Sequence, residues 1–208
     1  MRGLLRKDWY MILTDCRASL IVDLVFVVYA AFVTWSSPFF CYPFLFAGFL
    51  PMTLLSVDEK ERWQSYCAAL PVATFKVVAV KYFVGLAAVT GMLGLEMLMM
   101  ALGGALMPGR GAIPVALLLA AAPVGLLPPA LMLPLMFRYG AAKARVLYLA
   151  LIGGIVGLQV FLFGSDGAPM ALAPRAAALA PLLCLSMLAL YAASFAAAVF
   201  LLRGRRQT

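Results

Sequence analysis

The chain alternates long apolar runs with short charged joints, and six runs stand out: residues 19–35, 39–57, 77–107, 113–137, 146–163 and 177–202. About 20 consecutive apolar residues cross the hydrocarbon core of a bilayer as a helix. The pattern predicts an all-α polytopic membrane protein, with six transmembrane helices in a single transmembrane domain over residues 1–208. The third run is long enough to start outside the bilayer or to tilt. The fourth carries Pro114, Pro123, Pro128, Pro129 and Pro134. Each interior proline removes a backbone hydrogen bond, so this helix is expected to be kinked or broken and packed against its neighbours. Small residues that let backbones approach closely in lipid recur in the third run (Gly85, Gly91, Gly94, Gly103, Gly104), the fifth (Gly153, Gly154, Gly157) and the sixth (Ala192, Ala196).

Two stretches outside these runs are helical without crossing. In residues 1–17, Leu5, Trp9, Ile12, Leu13 and Cys16 recur at helical spacing, with Arg2, Arg6, Lys7 and Asp15 on the other face. That is the pattern of an amphipathic helix lying in the membrane interface, with Trp9 and Tyr10 at headgroup depth. Its charges interrupt the apolar stretch that a signal peptide needs, so the segment is expected to be retained. Between the second and third runs, Ser56 followed by Glu59 has the spacing of a capping box. A helix over 58–70 is therefore expected, stopped by Pro71. Its acids Asp58, Glu59 and Glu61 would lie at the positive end of the helix dipole. Trp63, Tyr66, Cys67 and Leu70 would form one stripe. Such a helix either lies on lipid or docks into a groove on a cytosolic partner. Three of the chain's eight acids sit here, which suits an anionic membrane surface poorly and favours docking.

Charge fixes the expected topology. The chain is 66% hydrophobic, 12% charged and has a mean hydropathy of +1.05, which excludes an ordinary soluble domain. All of its 16 Lys and Arg residues except Arg110 and Arg175 fall on one side of the six-crossing layout. Short loops rich in Lys and Arg stay in the cytoplasm, so both termini are expected there. The net charge of +8 is then a matter of topology and lipid headgroups, and no nucleic-acid partner is expected.

Candidate chemistry is sparse. There is no His, and Cys16, Cys41, Cys67 and Cys184 show no CxxC spacing, so no catalytic residue or metal site is expected. A Ser-His proteolytic dyad is excluded outright. The Gly-Ser-Asp-Gly at 164–167 lacks a partner motif for an aspartyl pair and is read as a turn. No GxxxxGK[ST] loop is present, so the chain holds no nucleotide in that manner. Two acids fall within expected crossings: Asp23, about one turn inside the first, and Glu96, deep in the third. A carboxylate in lipid costs roughly 2.5 kcal/mol or more on insertion scales, so each must face a cavity, a partner or a proton. Glu96 and Asp23 are therefore the candidate residues of a substrate path, against a plain structural hydrogen bond in each case.

The acidic-basic start at Asp58 to Arg62, the Leu70-Pro71-Val72 turn, the Lys81-Tyr82 pair and the opening Met1 to Tyr10 resemble the matching segments of ABC-2-type permeases, the membrane subunits of ATP-binding-cassette exporters. Within that group the chain is most similar to the small six-helix branch that includes permeases of bacterial phenol-soluble-modulin exporters. The resemblance implies a bacterial cell-membrane transport subunit rather than an enzyme, exporting an amphipathic or hydrophobic substrate such as a peptide. It implies a homo- or heterodimer of permeases with cytosolic ATPase subunits. No cofactor is expected in this chain; ATP and Mg belong to the ATPase. Asp58, Glu59, Lys60, Glu61, Arg62, Trp63, Tyr66 and Leu70 would couple the ATPase to the permease. The alternative is a substrate-binding S component of an energy-coupling-factor vitamin importer.

Overall fold

The computed structural model describes residues 2–32, 42–63, 66–67, 73–106, 115–144, 146, 150 and 180–205. They form α1 (Arg2–Asp15), α2 (Arg17–Phe32), α3 (Tyr42–Lys60), α4 (Thr74–Leu106), α5 (Val115–Tyr139) and α6 (Ala180–Arg205), with no strand among the described residues. Among the described residues three helices are long and apolar enough to cross a membrane, over Phe75–Leu106, Leu118–Tyr139 and Pro181–Leu202. The shorter α2 and α3, of 16 and 19 residues, do not combine that length and hydropathy. Apart from 146 and 150, the fifth expected crossing lies outside the described residues, as does the turn expected at 164–167.

The core is built around α5, which packs against α6, α3 and α4. Leu126, Ala130, Leu133, Met136 and Phe137 of α5 meet Phe44, Ala47, Met52 and Leu55 of α3, with Val78, Tyr82 and Val89 of α4. In contrast α6 leaves Leu182, Leu185, Leu188 and Phe200 exposed, an apolar surface suited to lipid or to another protein.

Of the expected kink or break in the proline-rich helix, a break does not occur: α5 runs on through Pro123, Pro128, Pro129 and Pro134, and it is packed against its neighbours as expected. At two of these prolines α6 supplies the donor that the proline withholds. A proline at position i leaves the carbonyl at i−4 without its helical donor. Pro123 frees the Leu119 carbonyl, which takes the Cys184 thiol of α6 at 3.3 Å. Pro134 frees the Ala130 carbonyl, which takes the Ser194 hydroxyl of α6. Pro129 frees the Gly125 carbonyl, and that oxygen lies against the backbone of Gly48 on α3. A Cβ added at Gly48 would fall 2.0 Å from it, and one added at Gly125 would fall 2.4 Å from the Phe44 carbonyl. α3 and α5 thus touch backbone to backbone, through two glycines that helix-wide counting of small residues did not single out. Of those it did, Gly85 is tight, leaving room for the Tyr191 hydroxyl, whereas a Cβ at Gly91, Gly94 or Gly104 would meet nothing. Ala192 and Ala196 are exposed, and Gly153, Gly154 and Gly157 lie outside the described residues.

The expected start of a separate helix at Asp58 is also corrected, while 64–65 and 68–70 of the expected helix lie outside the described residues. Ser56, Asp58, Glu59 and Lys60 belong to α3, whose buried face simply continues through Leu54, Leu55 and Asp58. The helix stops at a turn, where Glu61 N–H donates to the Val57 carbonyl at 3.0 Å and Arg62 adopts a left-handed φ of 54°. A further helical turn starts after it, with Tyr66 N–H donating to the Arg62 carbonyl at 3.3 Å. The capping-box spacing lost because the apolar face of α3 kept its period past Ser56.

Ser194 also shares a hydrogen bond with the Tyr82 hydroxyl at 2.7 Å, so its removal touches three helices. Ser194→Ala is expected to destabilise the protein by about 1–3 kcal/mol, the cost of a buried unsatisfied carbonyl. In a Pro134→Ala background, where an N–H returns to the Ala130 carbonyl, the same change should cost about 1 kcal/mol less. Denaturant unfolding in mixed micelles measures both; equal costs in the two backgrounds would refute the substitution of α6 for the missing helical donor.

Candidate functional site

At the end of α3 three helices meet on a cluster of four charges. Lys81 of α4 donates to both carboxylate oxygens of Asp8 on α1, at 2.9 Å each, and pairs with Asp58 Oδ2 of α3 at 2.7 Å. Lys7 of α1 donates to Asp58 Oδ1. Asp8, Asp58 and Lys81 are 2%, 2% and 4% exposed, so these pairs are interior and salt screens them little. Two cations and two anions make the cluster neutral, which is the condition under which buried charges persist. Burial pushes the Asp8 carboxyl above the usual carboxylate range, against the downward pull of Lys81.

The placement follows from helix register. Lys81 lies seven residues into α4, about 10 Å from its start, which leaves roughly 37 Å of helix beyond it to span the bilayer. Lys81 therefore stands near the interface rather than in the apolar core. On α1 the docked face runs through Asp8 and Met11, with Leu4, Leu5 and Ile12 beside them; Trp9, Tyr10 and Leu13 are exposed. The expected helix is present over Arg2–Asp15, but Lys7, expected on its solvated side, turns inward to Asp58. Length-and-charge patterning of α1 alone cannot show this, because the partner charges lie 51 and 73 residues away.

From the cluster an aromatic path leads outward. The Lys7 ammonium sits over the Trp63 ring, 4.0 Å from its centroid, and Trp63 packs against Tyr66 at 5.3 Å between centroids. Tyr66 is 59% exposed, Cys67 behind it is buried, and Glu61 and Arg62 face outward. Glu59 acts elsewhere: its carboxylate accepts from Ala141 N–H at 2.5 Å, at the start of the helical residues 141–144. An acid thus does meet a positive helix end, but on the segment after α5 rather than on its own helix. Gly140, with φ of 86°, closes α5 there, and a Cβ on it would lie 2.6 Å from Glu59 Oε1. Of the expected coupling residues, then, Asp58 is an internal tie, Glu59 caps a neighbour, and Lys60, Glu61, Arg62 and Tyr66 are accessible. Trp63 links the two groups. Leu70 lies outside the described residues.

A model of the ABC-2 family transporter protein matches residues 3–203. The chain belongs to that family. No curated protein and no solved structure matches it. The family and the apolar helices make it a membrane protein, and an ABC-2 transporter chain works with an ATP-binding-cassette ATPase. Among the described residues no group of His, Cys, Asp and Glu is arranged to hold a metal ion.

The two acids expected in the membrane part company in this ABC-2 chain. Glu96 is fully buried in α4, about 22 Å beyond Lys81, with neither carboxylate oxygen partnered among the described residues. Asp23 is buried in α2, and its Oδ1 has no partner among them either, but it lines a groove of about 680 Å³ bounded by α1, α2, α3 and α4.

Lys81→Met strands Asp8 in the interior and is expected to destabilise the protein by about 3–5 kcal/mol. Removing Asp8 as well, in Lys81→Met with Asp8→Leu, leaves the neutral Lys7–Asp58 pair and should recover a clear part of that loss. Unfolding of both variants in mixed micelles decides the matter: a double variant as unstable as the single would show that charge balance is not what holds the cluster.

Proposed function

We propose that this chain is the permease subunit of an ATP-binding-cassette exporter, and that the turn at Glu61 to Tyr66 receives the force of a cytosolic ATPase. The observation that carries this reading is the continuous path from exposed Tyr66 through Trp63, Lys7 and Asp58 to Lys81. A push on the turn enters α3 at its end. It reaches α1 and α4 through ion pairs buried enough to keep their geometry.

The rest of the proposal follows from the sequence pattern and the family. The subunit crosses a bacterial cell membrane six times with both termini in the cytoplasm, where its Lys and Arg residues face lipid headgroups. Two permease subunits, alike or different, pair through apolar helix faces such as that of α6. ATP and Mg are bound by the ATPase, since this chain lacks a phosphate-binding loop. Nucleotide-driven closure of the ATPases shifts the paired subunits between inward-facing and outward-facing states. The substrate is amphipathic or hydrophobic and enters from the inner leaflet or cytosol; peptides are the class suggested by the resemblance to modulin exporters.

Glu61→Lys with Tyr66→Ala alters only accessible side chains of the turn. The variant is expected to insert and fold normally, yet to capture its ATPase at least about tenfold more weakly, a loss of roughly 1.4 kcal/mol or more. Copurification from membranes, with thermal unfolding as the control for folding, is the measurement. Undiminished capture of the ATPase would move the coupling surface elsewhere.

A further inference from the structure

The groove beside α2 holds a feature that force transmission does not use. Its wall is apolar, built from Leu20 of α2, Leu50 of α3, and Val84, Gly91 and Met92 of α4, with Trp9 of α1 at its edge. Into this wall is set Asp23, 3% exposed, with Oδ1 unpartnered among the described residues. The other charged residue lining the groove is Arg6. It is exposed on α1 with its guanidinium 5.9 Å from the centroid of the Tyr10 ring, and no ion pair joins it to Asp23 among the described residues.

We propose that this groove binds a cationic amphiphile, an apolar body carrying a protonated amine, with Asp23 as the counter-ion of the amine. The inference rests on the transport reading above and narrows its substrate class. Three physical arguments support it. A carboxylate in an apolar wall is costly while unpaired, and a ligand ammonium both neutralises it and donates to Oδ1. An anionic amphiphile would meet repulsion at the same place, and a neutral one, even a hydroxyl donating to Oδ1, would leave the buried charge uncompensated. The groove's 680 Å³ also falls within the range of sites for drug-sized molecules, about 300–1,000 Å³. A 20-residue helical peptide, about 30 Å long and about 11 Å across, occupies roughly four times that volume. The groove therefore suits a small amphiphile, or one amine-bearing segment of a larger one, rather than a whole helix.

Trp9 at the groove's edge supplies the readout. In full-length protein carrying Trp35→Phe and Trp63→Phe, reconstituted in nanodiscs of phosphatidylcholine, Trp9 is the remaining tryptophan. Dodecylamine, dodecanol and dodecanoic acid, each brominated on the chain, serve as quenching probes. Saturable quenching by the amine is expected at a concentration at least about tenfold below that of the alcohol, a difference of roughly 1.4 kcal/mol. Asp23→Asn should abolish that preference. Gly91→Phe should remove saturable quenching altogether, because a side chain there meets no neighbour and projects into the open groove. Equal quenching by all three probes would make the groove a seat for lipid chains and overturn the proposal. No saturable quenching at all, as when a second subunit fills the groove, overturns it too, as does a preference for the amine that survives Asp23→Asn. The measurement needs neither ATPase nor nucleotide, so failure of the unmutated chain to capture any ATPase refutes the exporter reading without deciding this one.

Discussion

Four charges with no net charge determine where this molecule's helices meet. Asp8, Lys81, Asp58 and Lys7 alternate in sign, so each ion's desolvation is offset by an opposite charge on another helix, and Lys81 and Asp58 each have partners on two. An apolar contact at the same place would hold α1, α3 and α4 together but would tolerate sliding, because hydrophobic burial has no direction. The bidentate Lys81–Asp8 contact and the shared carboxylate of Asp58 have preferred geometry. They fix α1 against the ends of α3 and α4, and so make it part of the frame.

The same economy governs the apolar interior. α5 carries more prolines than a soluble helix would tolerate, and each one leaves a carbonyl that lipid cannot satisfy. Cys184 and Ser194 of α6 and the close backbone of Gly48 on α3 meet three of these carbonyls. The contacts that repair α5 are therefore also the contacts that orient α6 and α3 around it. Side-chain hydrogen bonds in membranes are individually modest, but here they act on groups whose alternative is no partner at all.

What the sequence reveals about this fold, and what it hides, divides along sequence distance. Local periodicity located the helices that the structure describes, usually to within three residues: 77–107 became Thr74–Leu106, and 177–202 became Ala180–Arg205. It failed where two local rules competed, as at Ser56 and Glu59. There the capping spacing suggested a helix start, while the inward-facing stripe of α3 carried the helix on to Lys60. It also failed wherever a residue's role depended on a remote partner. Asp58 looked like part of an exposed docking helix, and only Lys7 and Lys81 show it to be interior. Gly48 and Gly125 are single glycines in helices rich in larger residues, and nothing near either of them in sequence announces their contact. Asp23 and Glu96 were visible as costly groups. Which of them borders open space was not, because a groove belongs to four helices at once.

The geometry of the lever also constrains how any push could be felt. Because Asp58 lies in α3 itself, no flexible joint separates it from the rest of that helix; the left-handed Arg62 comes after the tie, not before it. Force applied near Tyr66 thus arrives at a rigid element, and α1 and α4 must either follow it or give up buried ion pairs. These are the helices that wall the groove: α1 through Leu5, Trp9 and Ile12, and α4 through Phe83, Val84 and Met92. A displacement that preserves the charge cluster would carry α1, α3 and α4 together past α2, the groove's remaining wall, and an occupant that pushes α1 from α4 would load the cluster. Coupling between sites is reciprocal by thermodynamic necessity. The short path from Lys7 to Trp9 along one turn of α1 therefore gives a ligand in the groove a physical means of altering the grip at the turn, without any contact between the two.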